Sequence, residues 1–132
     1  MKPAEPRWVQ RVVVDAIHLD QIREHGGLPG LRDEGLLEAA LARPRHKWTY
    51  KRRPDLASLA AAYGYGIVKN HPYRDGNKRV AFLVMVVFLG LNGFDFVADE
   101  ADVVTTMLKA AAGGRSEADL ARWIRSHIVE LR

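Results

Sequence analysis

The 132-residue sequence contains no cysteine, which excludes disulfide cross-links and thiolate metal sites and points to a reducing, cytoplasmic setting. Zinc-finger readings fall with it. The longest apolar run, Val80 to Leu91, is well short of the roughly 20 residues that a membrane helix needs, and it suits a buried helix instead. The opening MKPAEPRWVQ places an acid and prolines where a secretory leader needs an apolar core, so no such leader is read there. Internal repeats, low-complexity segments and long linkers are also missing, which leaves one domain over residues 1–132 as the expectation. Acid is absent from one stretch: Arg43 to Arg53 holds six Lys/Arg and no Asp or Glu. Without those six of its 20 Lys/Arg the chain would have 14 bases against 16 acids, so the formal charge of +4 is a local patch and not a field over the whole surface.

What is present reads as a soluble helical protein. The chain is 48% hydrophobic and 27% charged, the balance of a globular fold and not of a disordered one. Val9 to His25 carries Val12, Val13, Ala16, Ile17, Leu19 and Ile22 among charges and ends at Gly26, a residue that tolerates the backbone angles of a helix stop; its VVV run is also compatible with a strand. The loop GGLPGLRDEG follows, with Asp33 able to cap a second helix whose Leu36, Leu37, Ala40 and Leu41 share a face and which Pro44 is expected to end. A third helix starts after Pro54 and Asp55 and places Leu56, Leu59, Tyr63 and Ile67 at helical spacing. Gly64 and Gly66 cost that helix about 1 kcal/mol each relative to alanine, so close packing is their expected reason. Val80 to Leu91 is apolar all round and is expected to be the central helix. LNGFDFV turns out of it with a short extended piece. Asp99 then starts a helix bearing Val103, Val104, Met107, Leu108 and Ala111, which Gly113 and Gly114 stop. Ser116 to Asp119 matches a capping box for a last helix with Leu120, Trp123, Ile124 and Ile128 inward. The fold class is all-α, a bundle of about six helices.

One stretch is not explained by folding alone: HPYRDGNKR, His71 to Arg79, crowds a histidine, an acid, a glycine, an amide and cations into a turn opening on an apolar helix. Unpaired amides at a helix start attract anions, Gly76 lets the chain curl closely around one, and Lys78 and Arg79 add charge where phosphate oxygens would lie. Asp75 would repel a phosphate unless a hard divalent cation lay between them, and magnesium commonly uses one or two carboxylates with phosphates and water. Histidine is the side-chain type suited to taking a hydroxyl proton near neutral pH, which gives His71 a role beside a held phosphoryl centre. Each residue also has a plainer reading: His71 as an ordinary loop residue, DGN as a turn, Lys78 and Arg79 as solvated charges, Asn77 as a cap of the central helix.

HPYRDGNKR resembles the signature loop of the Fic/Doc superfamily, which sets a histidine, an aromatic two positions on, an acid, a small residue, an asparagine and an arginine at these spacings. GGLPGLRD, the apolar helix ending FLGLNG and the final helix extend the resemblance, specifically to the death-on-curing toxins of type II toxin-antitoxin systems, over almost the whole chain. It implies a Fic-type bundle with a short flap at about residues 43–53 and the signature loop at residues 71–79. It implies kinase-like transfer of the terminal phosphate of ATP, with Mg2+, to a Ser or Thr hydroxyl of a bacterial protein such as elongation factor Tu, which would block translation. Carried over by position, His71 is the general base, Asp75 the metal ligand, and Gly76, Asn77, Lys78 and Arg79 the phosphate contacts, while Tyr73 anchors the loop from inside. Where adenylylating members have a glycine after the asparagine and a second arginine, this chain has Lys78 and Phe82. AMP transfer is therefore the enzymatic alternative, and a non-enzymatic basic binding module is the alternative of another class. The Gly26 to Gly30 stretch is read as a supporting loop or a plain connector.

The segment RPRHKWTYKRR interleaves Trp48 and Tyr50 with bases, and HKWTY suits an extended flap that docks a target protein, ahead of a solvated loop or a nucleic-acid surface. Self-inhibition is not expected, because the nearest approach to the superfamily's inhibitory helix, Ser126 with Glu130, is followed by Leu131, and the arginine it would grip is Phe82. The resemblance implies instead an antitoxin whose C-terminal segment folds onto the toxin, with nucleic acid engaged only through that antitoxin.

Overall fold

The computed structural model describes residues 4–131. Among them the chain forms six helices and one two-stranded sheet: α1 (Arg11–His25), α2 (Glu34–Tyr50), α3 (Leu56–Asn70), α4 (Asn77–Leu91), β1 (Phe94–Phe96), α5 (Glu100–Ala112), α6 (Glu117–Arg125) and β2 (Ile128–Glu130). The all-α bundle is as expected, and the VVV run of α1 is helical. No described helix is long and apolar enough to cross a membrane.

The most enclosed element is α3, not the apolar α4. It packs against α2, α4 and α6, and Ala57, Leu59 to Gly64 and Gly66 to Val68 are all buried. Small residues make this possible: a Cβ on Gly64 would lie 2.3 Å from Met85 Sδ, and one on Gly66 would lie 3.3 Å from Ala40 Cα. The two glycines thus let α4 and α2 approach closely enough to offset their cost in helix propensity. α4 buries Val80, Ala81, Val84, Met85, Phe88 and Leu89 but keeps Phe82, Leu83, Val86 and Val87 half-buried.

The helix ends follow local chemistry, with exceptions. Gly26, at φ 79°, closes α1 through its N–H to Ile22 O. Asp33 accepts from Leu36 N, Asp55 from Ser58 N, and Ser116 and Asp119 form the reciprocal capping box. Asp99 occupies the cap position of α5 without a side-chain bond. Pro44 does not end α2: the helix runs on to Tyr50, so the HKWTY segment is helical and not an extended flap, and only Lys51–Arg53 leave the helix. A proline removes one backbone bond, and tertiary contacts outweigh that loss. Lys47 Nζ meets Glu117 Oε2 at 2.7 Å, Arg43 Nε meets Glu117 Oε1 at 2.6 Å, and Trp48 packs on the core. Likewise α6 ends at Arg125, and Ile128 enters β2 in place of a helical face. β2 pairs antiparallel with β1, Phe96 facing Ile128, and the Phe96 ring rests 4.9 Å from Trp123 and 5.5 Å from Phe82.

One cross-link ties α6 to the start of α3. Arg125 Nε lies 2.7 Å from Asp55 Oδ2. Partial burial alone would raise the Asp55 carboxyl, but the hydrogen bonds from Arg125 and Ser58 outweigh it and hold it at about 2 against an ordinary 3.8. A depressed carboxyl contributes stability that is full above the unfolded value and is lost as pH falls through the folded one. Both side chains are about half exposed (48% and 47%), so the ion pair contributes at most about 1 kcal/mol. Asp55→Asn keeps the cap and removes the charge. Its stability deficit, measured by urea unfolding, is therefore expected to be at most about 1 kcal/mol at neutral pH and to close as pH falls from 3.8 to about 2. A variant as stable as wild type at neutral pH would leave Asp55 with capping alone.

Candidate active site

The turn between α3 and α4 is held by the loop between α1 and α2. His71 closes α3 in the left-handed region, φ 51° and ψ 55°, which costs a non-glycine residue roughly 1 to 2 kcal/mol. Arg32 secures that bend: Nε donates to His71 O at 2.7 Å and Nη2 to Asn70 O at 2.9 Å. The backbones are then laced together. Arg32 N and Asp33 N donate to Pro72 O, Arg74 N donates to Gly30 O, and Leu31 bridges Tyr73 antiparallel. The glycine-rich stretch is thus a supporting loop and not a plain connector.

Beneath the turn, Tyr73 is 2% exposed and donates its hydroxyl to Asp15 Oδ1 at 2.7 Å. Burial, and then the Asp15 carboxylate, push its phenol well above the ordinary tyrosine value. The expected inward anchor is present, and it extends further: Asp15 pairs with Arg11 at 2.8 Å, and Arg11 with Glu34 and Glu38 at the start of α2. Asn77 is not the helix cap, a position that Gly76 takes at φ 80°. Buried at the first helical position, its Oδ1 accepts from Tyr73 N at 3.0 Å, and its Nδ2 donates to Tyr73 O at 2.9 Å. Those two bonds fix the amide orientation and aim Nδ2 at His71 Nδ1, 3.2 Å away.

The open side of the turn is a cavity of about 380 Å3 whose lining includes His71, Asp75, Gly76, Asn77, Lys78 and Arg79. The structure therefore brings together all six of the residues singled out in the sequence. The start of α4 has no side-chain cap and no acid in its first turn, so its unpaired amides face the cavity with Lys78 and Arg79 as the nearby charges, an arrangement that favours an anion. Asp75 Oδ2 accepts from Leu28 N at 2.7 Å. No cluster of three or more His, Cys, Asp or Glu able to hold a metal occurs among the described residues. A cation at Asp75 would therefore complete its shell from ligand oxygens and water, which is how magnesium binds beside phosphates.

His25, Gly26, Gly27, Val68 and Ala111 also line the cavity. Gly26 and Gly27 belong to the stretch that the sequence offered as a supporting loop, whereas His25, Val68 and Ala111 carried no signal of a role at the site. A Cβ on Gly27 would meet Asp75 Cβ at 3.2 Å. A second hollow, of about 530 Å3, adjoins the first and shares His25, Lys78 and Arg79 with it. It lies between α1, α4 and α5, and Phe82, Val104 and Leu108 are among its apolar walls. Val104 and Leu108, named in the sequence among the apolar residues of this helix, are 52% and 51% exposed.

Comparison with known proteins shows the family. The sequence model of the Fic/DOC family matches residues 8–89, which include α1 to nearly the end of α4 and the turn between α3 and α4. The chain is 33% identical over 110 residues to the protein kinase doc of Escherichia phage P1, covering 83% of this chain and 86% of the phage protein. It is 41% identical over 75 residues to the toxin Doc of Mycolicibacterium smegmatis, covering 56% and 58% of the two chains.

Proposed function

Because this chain belongs to the Fic/DOC family, we propose that it is the toxin of a toxin-antitoxin pair. In this reading it is a cytoplasmic enzyme that transfers the terminal phosphate of ATP to a Ser or Thr hydroxyl of a bacterial protein, with elongation factor Tu the first acceptor to test. One observation carries the reading: a histidine, a carboxylate and a charged helix start line a single cavity. The phage relative's name, a protein kinase, supports the reaction class.

In this reading the amides at the start of α4, with Lys78 and Arg79, would hold the phosphate chain, and Asp75 would hold Mg2+. Bound there, the ion would supply positive charge that offsets the phosphates. The acceptor oxygen attacks the terminal phosphorus, the bond from that phosphorus to the bridging oxygen breaks, and ADP leaves. His71 takes the hydroxyl proton. Since Asn77 Nδ2 is aimed at Nδ1, a base at Nε2 must carry its own proton on Nδ1, the tautomer that gives up the Asn77 contact. Intact mass of candidate acceptors after incubation with ATP and Mg2+ tests the proposal. A phosphoryl adduct supports it, an AMP adduct replaces it with adenylylation, and an unchanged mass together with salt-sensitive nucleic-acid binding replaces it with a basic binding module.

The hollow beside the cavity supports the reading of an antitoxin partner. Ser126 ends α6 and Glu130 lies in β2, so the stretch nearest to an inhibitory helix pattern is not a helix, which supports an external inhibitor. An apolar groove rimmed by Glu24, His25, Lys78, Arg79 and Glu100 suits an amphipathic segment that folds on binding. The double variant Val104→Glu, Leu108→Glu is expected to bind the antitoxin's C-terminal peptide at least tenfold more weakly in calorimetry, about 1.4 kcal/mol or more. Co-expressed antitoxin should then no longer relieve growth arrest. Wild-type affinity in the folded variant would move the antitoxin site elsewhere.

A further inference from the structure

We infer that His18, a residue of α1 outside the signature loop, is a positioning residue that sets the Asp75–Gly76 peptide and thereby both the carboxylate and the first amide of the cavity. The inference rests on the reading of Asp75 as the cation ligand. His18 is 5% exposed. Its ring stacks on Tyr73 with centroids 3.8 Å apart and planes 10° apart, so the ring cannot turn without displacing the loop's buried anchor. With the ring fixed, Nε2 lies 2.9 Å from Asp75 O. A carbonyl oxygen only accepts, so Nε2 carries the proton and donates it.

The direction of that bond has a consequence across the peptide. In a trans peptide the C=O and the following N–H point opposite ways. Holding Asp75 O down on α1 turns the Gly76 N–H away from His18, toward the side on which Gly76 lines the cavity. Asp75 is also held from above, where Leu28 N donates to Oδ2 at 2.7 Å and Gly27 leaves the space for that approach. The residue is thus pinned at its carbonyl by α1 and at one carboxylate oxygen by the glycine-rich loop, with the other oxygen left for a cation. Partners one step removed from a metal ligand typically contribute 10- to 100-fold in metal affinity by fixing the ligand's orientation.

Two substitutions separate the hydrogen bond from the packing. His18→Phe keeps a ring to stack on Tyr73 but has no donor, and His18→Gln keeps a donor but has no ring. The probe is Mn2+ with ADP, titrated calorimetrically into wild type and variants whose thermal unfolding is measured alongside. His18→Phe is expected to bind about 10- to 100-fold more weakly, and His18→Gln to bind closer to wild type than His18→Phe does. The reverse order, or wild-type affinity in His18→Phe, overturns the inference by leaving only packing. If His18→Phe does not fold, 15N spectra of wild type decide: His18 neutral with its proton on Nε2 supports the inference, and a proton on Nδ1 overturns it. Failure of wild type itself to bind Mn2+ and ADP sinks the cation-site reading, an outcome distinct from failure of His18 alone.

Discussion

Alanine at His71 is expected to lower phosphoryl transfer by about 100- to 10,000-fold, the usual contribution of a general base, without unfolding the protein. The side chain is exposed and its contact with the fold is the 3.2 Å approach of Asn77. The bend itself is held through backbone oxygens by Arg32, and those bonds survive truncation. Alanine must adopt the same left-handed conformation, at a cost similar to histidine's. His71→Gly is therefore the companion variant, with the base removed and the backbone cost relieved. Both should be inactive in radiolabel transfer to the acceptor, with the glycine form at least as stable as the alanine form. Near-wild-type transfer by either variant would remove His71 from the chemistry and leave the cavity as a binding site only.

Why the loop was legible and its supports were not comes down to sequence distance. His71 to Arg79 is a contiguous run in which residue type and spacing both speak to phosphate, and six of its nine members reach one cavity because a helix start gathers neighbouring residues. The six helices were legible because apolar residues recur with helical spacing and Asp33, Asp55 and Ser116 mark their starts. His18 and Asp15 gave no signal, since both lie on an amphipathic helix and their partners Asp75 and Tyr73 are 57 and 58 residues away. Boundaries failed where tertiary contacts overrode a local rule. Pro44 reads as a stop, yet Glu117, 70 residues beyond Lys47, holds the next turn in place. Ile128 fits the helical spacing of α6, but pairing with Phe96 claims it for a strand. The exposure of Val104 and Leu108 has a different cause: helical spacing identifies an apolar face but not whether this chain or another covers it.

Converting the two positions at which this chain departs from the adenylylating pattern, in the double variant Lys78→Gly, Phe82→Arg, is expected to cut phosphoryl transfer at least tenfold and to raise AMP transfer above the wild-type level. The two residues sit one turn apart on α4. Lys78 lines both the cavity and the adjoining groove, whereas Phe82 lines the groove. Glycine at 78 removes a cation and bulk from the phosphate end of the cavity. Arginine at 82 offers a second guanidinium able to grip phosphate in the opposite pose, so the change acts on how the nucleotide lies and not on whether it binds. The substitution at 82 also has a structural cost. Phe82 is half-buried and meets Phe96 edge-on at 5.5 Å, a contact worth about 0.5 to 1.5 kcal/mol beyond its area. Phe82→Leu loses that contact without adding charge, so its melting temperature and transfer rate separate packing loss from nucleotide placement. If Phe82→Leu transfers phosphate at the wild-type rate while the double variant shifts from phosphate to AMP, as read by the intact mass of the acceptor, then Lys78 and Phe82 set which phosphorus is attacked. A folded double variant that phosphorylates as wild type does would show that neither position chooses the reaction, and the choice would then have to lie in the loop backbone that His18 and Leu28 hold.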